Sequence, residues 1–166
     1  MSTREQPWSD QAPEQGRLVV VSDNPIGRAV VAIAEVAGRP ATLLADEDVD
    51  PMPLQWLREH PLGERDALVL CDHDAPDAAL ILREALAGEA GYVAMMGSRR
   101  RAEHVFAELE QELGPQQLDR LRVPAGLDTG GKAPGEIALS VVAEVVAVSY
   151  GRTGGPMRQR GAAQPR

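Results

Sequence analysis

Short β-branched runs alternate with helical stretches through the middle of this chain, and that alternation leaves few folds open. LVVV at 18–21 is the kind of run buried on both faces in a parallel sheet. From Pro25 an apolar pattern of helical period continues to Val36 and stops at Gly38, which reads as strand, turn and helix. The same unit then recurs. A second strand is predicted at 41–45, followed by the acids Asp46, Glu47, Asp48 and Asp50, two prolines and a short helical piece at 54–59. DALVLC at 66–71 predicts a third strand. It stops at Asp72, His73 and Asp74 before a helix over about 76–87, with Leu80, Leu82 and Leu86 on its apolar side. A fourth strand at 92–96 passes through Gly97 and Ser98 into a helix whose first turn carries Arg99, Arg100 and Arg101. That helix extends to about 113, where Gly114 and Pro115 stop it. Residues 121–124 return to the sheet, and a last helix runs from 134 to about 150.

Strands alternating with helices predict an α/β fold, a doubly wound parallel sheet with helices on both faces. One domain is expected over 17–151. Residues 1–16 are polar with two prolines, and 152–166 are basic and glycine-rich; both are expected to be disordered tails. In this architecture ligands bind beyond the carboxyl ends of the strands. The segments at 22–27, 46–48, 72–77, 97–101 and 126–134 should therefore share one edge.

Charge and cysteine content remove several function classes. A net charge of −8 leaves no basic surface for nucleic acid. The single cysteine, Cys71, excludes an internal disulfide framework and a multi-cysteine metal site, and fits a reducing cytoplasm. No apolar run reads as a signal peptide or a membrane span, so a cytoplasmic protein is expected.

The most unusual stretch is GLDTGGKAPGEIALS at 126–140, a glycine-rich loop feeding a helix that starts at Pro134. Asp128 and Lys132 give the loop charged groups. Ala133 stands at the N-cap and has no side chain to cap with, which leaves backbone donors available. Glu136, Ser140 and Glu144 follow at i, i+4 and i+8, opposite Ile137, Val141, Val142 and Val145. Glu136 is a candidate for the site, and Glu144 reads as structural. Gly97 and Ser98 open a second helix whose free N–H groups, with three arginines, make an anion site. His73 and Asp74 line the neighbouring strand end, where metal coordination, an acid–base pair and a capped turn are all open, although the spacing specifies no metal. After the first strand a G-x-G-x-x-G fingerprint would bind a dinucleotide, but the register here holds Ser22, Asn24 and Gly27, with Asp23 between. NAD(P) is accordingly the weaker cofactor reading.

GLDTGGKAPGEIALSVVAEVVA at 126–147, GYVAMMGSRRR at 91–101 and DHDAPDAALILREAL at 72–86 together resemble the XdhC/CoxI family. Its members are accessory proteins of molybdenum hydroxylases such as xanthine dehydrogenase and carbon monoxide dehydrogenase. The resemblance implies a Rossmann-like domain that helps bind, mature or deliver the molybdenum cofactor (molybdopterin). It places cofactor-binding residues at His73, Asp74, Gly97, Ser98, Arg99, Gly126, Asp128, Lys132 and Glu136, with no catalytic residue and no protein-held metal. It covers the family's C-terminal domain only, and the separate N-terminal domain of longer members is not expected here. The chain also departs from the family at the first-strand glycines, at Asp48 in place of an arginine, and at Ala133 in place of a capping threonine. The implied partners are an apo molybdenum hydroxylase, a separate protein supplying the missing half, and a second copy of this chain. The alternative is an NAD(P)-dependent oxidoreductase on a degenerate Rossmann fold.

Overall fold

The computed structural model describes residues 14–45, 52–72, 74, 75 and 77–159. The acids at 46–50, His73 and Pro76 lie outside the described residues. Five strands form one parallel sheet: β1 (Leu18–Val21), β2 (Ala41–Leu44), β3 (Ala67–Leu70), β4 (Tyr92–Met95) and β5 (Leu121–Arg122). Their order across the sheet is β2-β1-β3-β4-β5, with β1 central to the first half. The expected Rossmann-like doubly wound sheet is thus what the chain forms. Its order reverses between β1 and β3, the topological switch point at which such sheets leave a crevice.

The inner strands β1, β3 and β4 are buried on both faces, the edge strands β2 and β5 only in part, and alternate residues separate into two cores. Leu18, Val20, Ala67, Val69, Tyr92 and Ala94 face α1 (Pro25–Val36) and α6 (Pro134–Ser149), which pack against each other. Val19, Val21, Leu68, Leu70, Val93 and Met95 face the other side. There α2 (Pro53–Glu59), α3 (Ala78–Ala87) and α4 (Arg99–Leu109) cover the sheet, followed by the single turn α5 (Pro115–Leu118). Burial of an aliphatic side chain contributes about 1.5–3 kcal/mol, so these two layers dominate the stability.

Element boundaries differ from expectation where local chemistry intervenes. In α3 the buried stripe is Ala78, Ile81, Leu82, Ala85 and Leu86, and Leu80 is 37% exposed. Leu80 lies two residues from Leu82, about 200° around a helix, so both cannot face the core. The fourth helix ends at Leu109, four residues early, and residues 110–113 form a turn closed by Leu113 N–H on Leu109 O. Arg120 then reaches back under α3. Its guanidinium donates to the carbonyls of Leu86, Gly88 and Ala90, satisfying acceptors at and beyond the end of that helix.

Gln15 and Gly16, at the end of the expected N-terminal tail, are held by the domain. Buried Arg39 donates to Gly16 O, Arg65 O, Gln15 Oε1 and Ser149 Oγ, and so ties that segment to β3 and α6. Of the expected C-terminal tail, residues 152–159 are exposed throughout and Met157–Gln159 make one 3-10 turn. Among the described residues no helix is long and apolar enough to cross a membrane.

Candidate functional site

The loop after β1 keeps the shape of a glycine turn without its glycines. Ser22 stands in the first glycine position with φ of +93°, in the left-handed region. It is fully buried, and its hydroxyl has no hydrogen-bond partner. Gly27, in the third position, remains obligatory because a Cβ there would come within 2.2 Å of the Ser22 carbonyl oxygen. Asn24 fills the middle position and caps α1, accepting from Gly27 N–H at 2.9 Å. Its amide also donates to Cys71 O at 3.1 Å, joining the ends of β1 and β3 at the switch point. Asp23 pairs with Arg28 at 2.5 Å. The N-terminus of α1 therefore already holds an acceptor, with a carboxylate beside it. From sequence Asn24 was read as a fingerprint position and not as a cap, although an asparagine directly before a helix-starting proline is a recognisable cap signal.

Beyond β3, Cys71 is buried and its thiol is pushed up to about 12 by burial, so it is no nucleophile near neutrality. Asp72 Oδ1 accepts from Asp74 N–H at 2.8 Å, which forms an Asx turn. Asp74 is exposed. Asp77 occupies the N-cap position of α3 and makes no capping bond. Among the described residues no group of three or more His, Cys, Asp or Glu could hold a metal ion.

Beyond β4, Met96 N–H donates to Leu70 O at 2.9 Å, which sets the Gly97 turn beside the turn that carries Asp74. Ser98 caps α4 by accepting from Arg101 N–H at 3.2 Å. Arg99 and Arg100 are exposed at the positive end of that helix. The next strand end adjoins in turn, since Ala125 N–H donates to Met95 O at 3.0 Å.

The loop at 125–133 is held more closely by its own helix than its glycines suggested. Gly126, with φ of +101°, has no room for a side chain: a Cβ would lie 2.5 Å from Ser140 Oγ. Its N–H donates to Glu144 Oε2 at 2.9 Å, and Leu127 N–H donates to Ser140 O. A Cβ on Gly131 would lie 2.5 Å from Glu136 Cβ. What approaches these two glycines is α6 itself. Gly130, with φ of +75°, makes the outer bend with nothing within 4 Å. Asp128, Lys132 and Glu136 are exposed. Glu136 Oε2 accepts from Lys132 N–H at 2.9 Å and from Ala133 N–H at 3.1 Å, and these bonds hold its carboxyl below the usual carboxylate range. Ala133 makes no side-chain cap.

Asp74, Gly97, Ser98, Arg99, Gly126, Asp128, Lys132 and Glu136 therefore follow three adjacent strands on one edge. Ser98, Arg99, Asp128, Lys132 and Glu136 are exposed there. A crevice of about 20 Å³ lies beyond β1 and β3, lined mainly by Val21, Met52, Pro53, Ala75 and Ile81, and none of the eight site residues lines it. A cavity of about 280 Å³ sits at the opposite, amino edge, beside Arg39, Asp66, Tyr92 and Tyr150.

These features define a Rossmann-like domain whose first loop lacks two fingerprint glycines and whose polar groups gather beyond β3, β4 and β5. The chain belongs to the XdhC Rossmann domain family, whose description matches residues 18–145. It is similar to a probable xanthine dehydrogenase subunit of Bacillus subtilis (strain 168), with 28% identity over 102 residues. That match covers 61% of this chain and 29% of the relative. Similarity to the uncharacterized protein YqeB of Escherichia coli (strain K12) is 33% over 67 residues, 40% of this chain and 12% of that one. The crystal structure of a xanthine dehydrogenase from Bacillus halodurans shares the fold, with a TM-score of 0.69 at 23% identity. It matches 91% of this chain, which corresponds to 45% of its own. The chain thus spans less than a third of the length of these curated relatives.

Proposed function

We propose that this domain is an accessory factor for a molybdenum hydroxylase of the xanthine dehydrogenase or carbon monoxide dehydrogenase type. It binds the molybdenum cofactor at the carboxyl edge and helps to mature it or insert it into the apo-enzyme. The observation that carries this reading is the junction of β4 and β5 within a chain of this family. Through Ala125 N–H on Met95 O, the loop bearing Lys132 lies beside the helix start bearing Ser98 and Arg99.

The residues present fit an anionic ligand. Two helix N-termini meet at the edge: α4 is capped by Ser98, α6 has no side-chain cap, and Arg99 and Lys132 are exposed cations. A pterin cofactor brings a phosphate and a dithiolene-bound metal, so the redox chemistry and the metal ligation are its own. In this chain Ser98, Arg99 and Lys132 bind the phosphate, and Gly97 lets the backbone approach it. Asp128 and Asp74 offer acceptors to pterin N–H groups, and His73, next to Asp74 in sequence, is assigned to the same ligand. Gly126 and Glu136 shape the loop. An open edge suits a ligand that has to be passed to another protein, because the far side of the ligand stays accessible.

The test is to purify the full chain from a host that makes the cofactor, and to assay bound molybdenum, bound pterin and capture of an apo-dehydrogenase. Protein that carries neither molybdenum nor pterin and captures no dehydrogenase contradicts the proposal. The dinucleotide alternative makes a different demand, since a pyrophosphate at α1 would have to displace the Asn24 cap and sit beside Asp23. Titration with NAD(H) and NADP(H) to millimolar concentration is expected to show no binding, and saturable binding would restore that alternative.

A further inference from the structure

We propose that α6 is a splint for the loop at 125–133, with Glu144 and Glu136 as the positioning residues that fix its two ends. The proposal deepens the reading that this loop belongs to a ligand site and rests on it for its functional consequence. Glu136 and Glu144 are eight residues apart, so they lie on one face of α6 with about 12 Å of axial rise between them. Each spends a single carboxylate oxygen on loop backbone. Glu144 Oε2 accepts from Gly126 N–H at 2.9 Å, and Glu136 Oε2 accepts from Lys132 and Ala133 N–H at 2.9 and 3.1 Å.

The inner attachment is the more elaborate. The same Glu144 oxygen accepts from Tyr92 OH at 2.5 Å, and Tyr92, at the start of β4, is 3% exposed. One carboxylate therefore ties the sheet, the helix and the loop together at a glycine whose φ is +101°. Packing alone would be met by an apolar side chain, as it is at Val141 and Val145 nearby. An acceptor is required because the hydroxyl of buried Tyr92 would otherwise be a donor without a partner away from water, and the half-buried Gly126 N–H would lose its carboxylate partner. Between the two attachments, Asp128, Thr129 and Gly130 are exposed, and Thr129 N–H bonds back to Leu127 O. The placement of Asp128 and Lys132 relative to Arg99 is consequently set from α6.

Amide hydrogen exchange on the isotopically labelled full chain reads this without any ligand. Glu144→Ala is expected to raise exchange of the Gly126 and Leu127 amides about tenfold or more while Val69 and Val93 stay unchanged. Glu144→Gln, which retains an acceptor oxygen, is expected to recover most of the protection. Glu136→Ala should act on Lys132 and Ala133 alone. Should Glu144→Ala fail to fold, Tyr92→Phe removes one donor, and its effect is expected in the same direction and confined to Gly126 and Leu127. In parallel, molybdopterin released from a purified molybdenum hydroxylase should bind Glu144→Ala about tenfold more weakly than wild type, with Glu144→Gln close to wild type. Exchange that rises evenly through the sheet, or no rescue by glutamine, overturns the splint. Loop exchange that behaves as stated while wild type binds no pterin upholds the splint and overturns the ligand reading.

Discussion

Ser22 is the residue at which the molecule departs furthest from ordinary backbone chemistry. A side chain at φ +93° and a buried hydroxyl without a partner are both unfavourable, by about 1–2 kcal/mol for the backbone alone. Ser22→Gly removes both, against about 0.5–1 kcal/mol for the greater freedom of glycine in the unfolded chain. It is expected to raise stability by about 1 kcal/mol in urea unfolding, and a loss of stability would mean that the hydroxyl has a use. Cys71 gives a pH dependence of definite sign. Burial pushes its pKa from an ordinary 9.0 to about 12, so above pH 9 the unfolded chain releases a proton that the folded one keeps. Stability from this group is complete below pH 9 and falls by up to about 1.4 kcal/mol per unit as pH rises towards 12. Cys71→Ala should flatten that part of the alkaline unfolding profile, and an unchanged slope would assign it elsewhere. Buried Tyr92, raised by burial and by Glu144, adds to the same alkaline loss. The strain at Ser22 was not legible in sequence, because its position in the fingerprint shows a missing glycine but not a retained glycine conformation.

Elements, in contrast, were largely legible. The strands could be read because β-branched and aliphatic runs bounded by polar residues are buried on both faces, and the helix starts because Pro25 and Pro134 mark first positions. Ends were less legible. Leu113 carries the apolar period of α4 past Leu109, yet the chain turns there because the next residues pack as a loop under α3. At the candidate site the sequence showed which loops would meet on one edge, since that follows from strand order, but it did not show what each glycine is for. Gly126 is needed because Ser140 lies against it. Gly126→Ala is therefore expected to cost about 2 kcal/mol of stability, from the left-handed backbone and the contact together. A neutral alanine substitution would show that α6 can shift outward. Glu136 is tested at the same scale: its two backbone bonds hold its carboxyl low. The carboxyl ¹³C titration of Glu136 should have its midpoint below that of an ordinary glutamate, and its contribution is lost as pH falls through that lowered midpoint. A midpoint at or above the ordinary range would mean that the loop end is not held.

At the scale of the whole molecule, this doubly wound domain carries its proposed anion site beyond β4 and β5, distinct from the first-loop position that a dinucleotide would use. The central claim concerns Arg99 on α4 and Lys132 on the loop, the exposed cations of that edge to which phosphate binding is assigned. Both side chains project from the surface, so neutralising them should leave folding intact. The most direct measurement compares retention of pterin cofactor by wild type and by the Arg99→Ala, Lys132→Ala double variant. Both are purified side by side from a cofactor-producing host, with equal thermal stability verified. At least a tenfold loss of bound pterin in the double variant is the result expected, and retention at the wild-type level in a folded double variant would contradict the account.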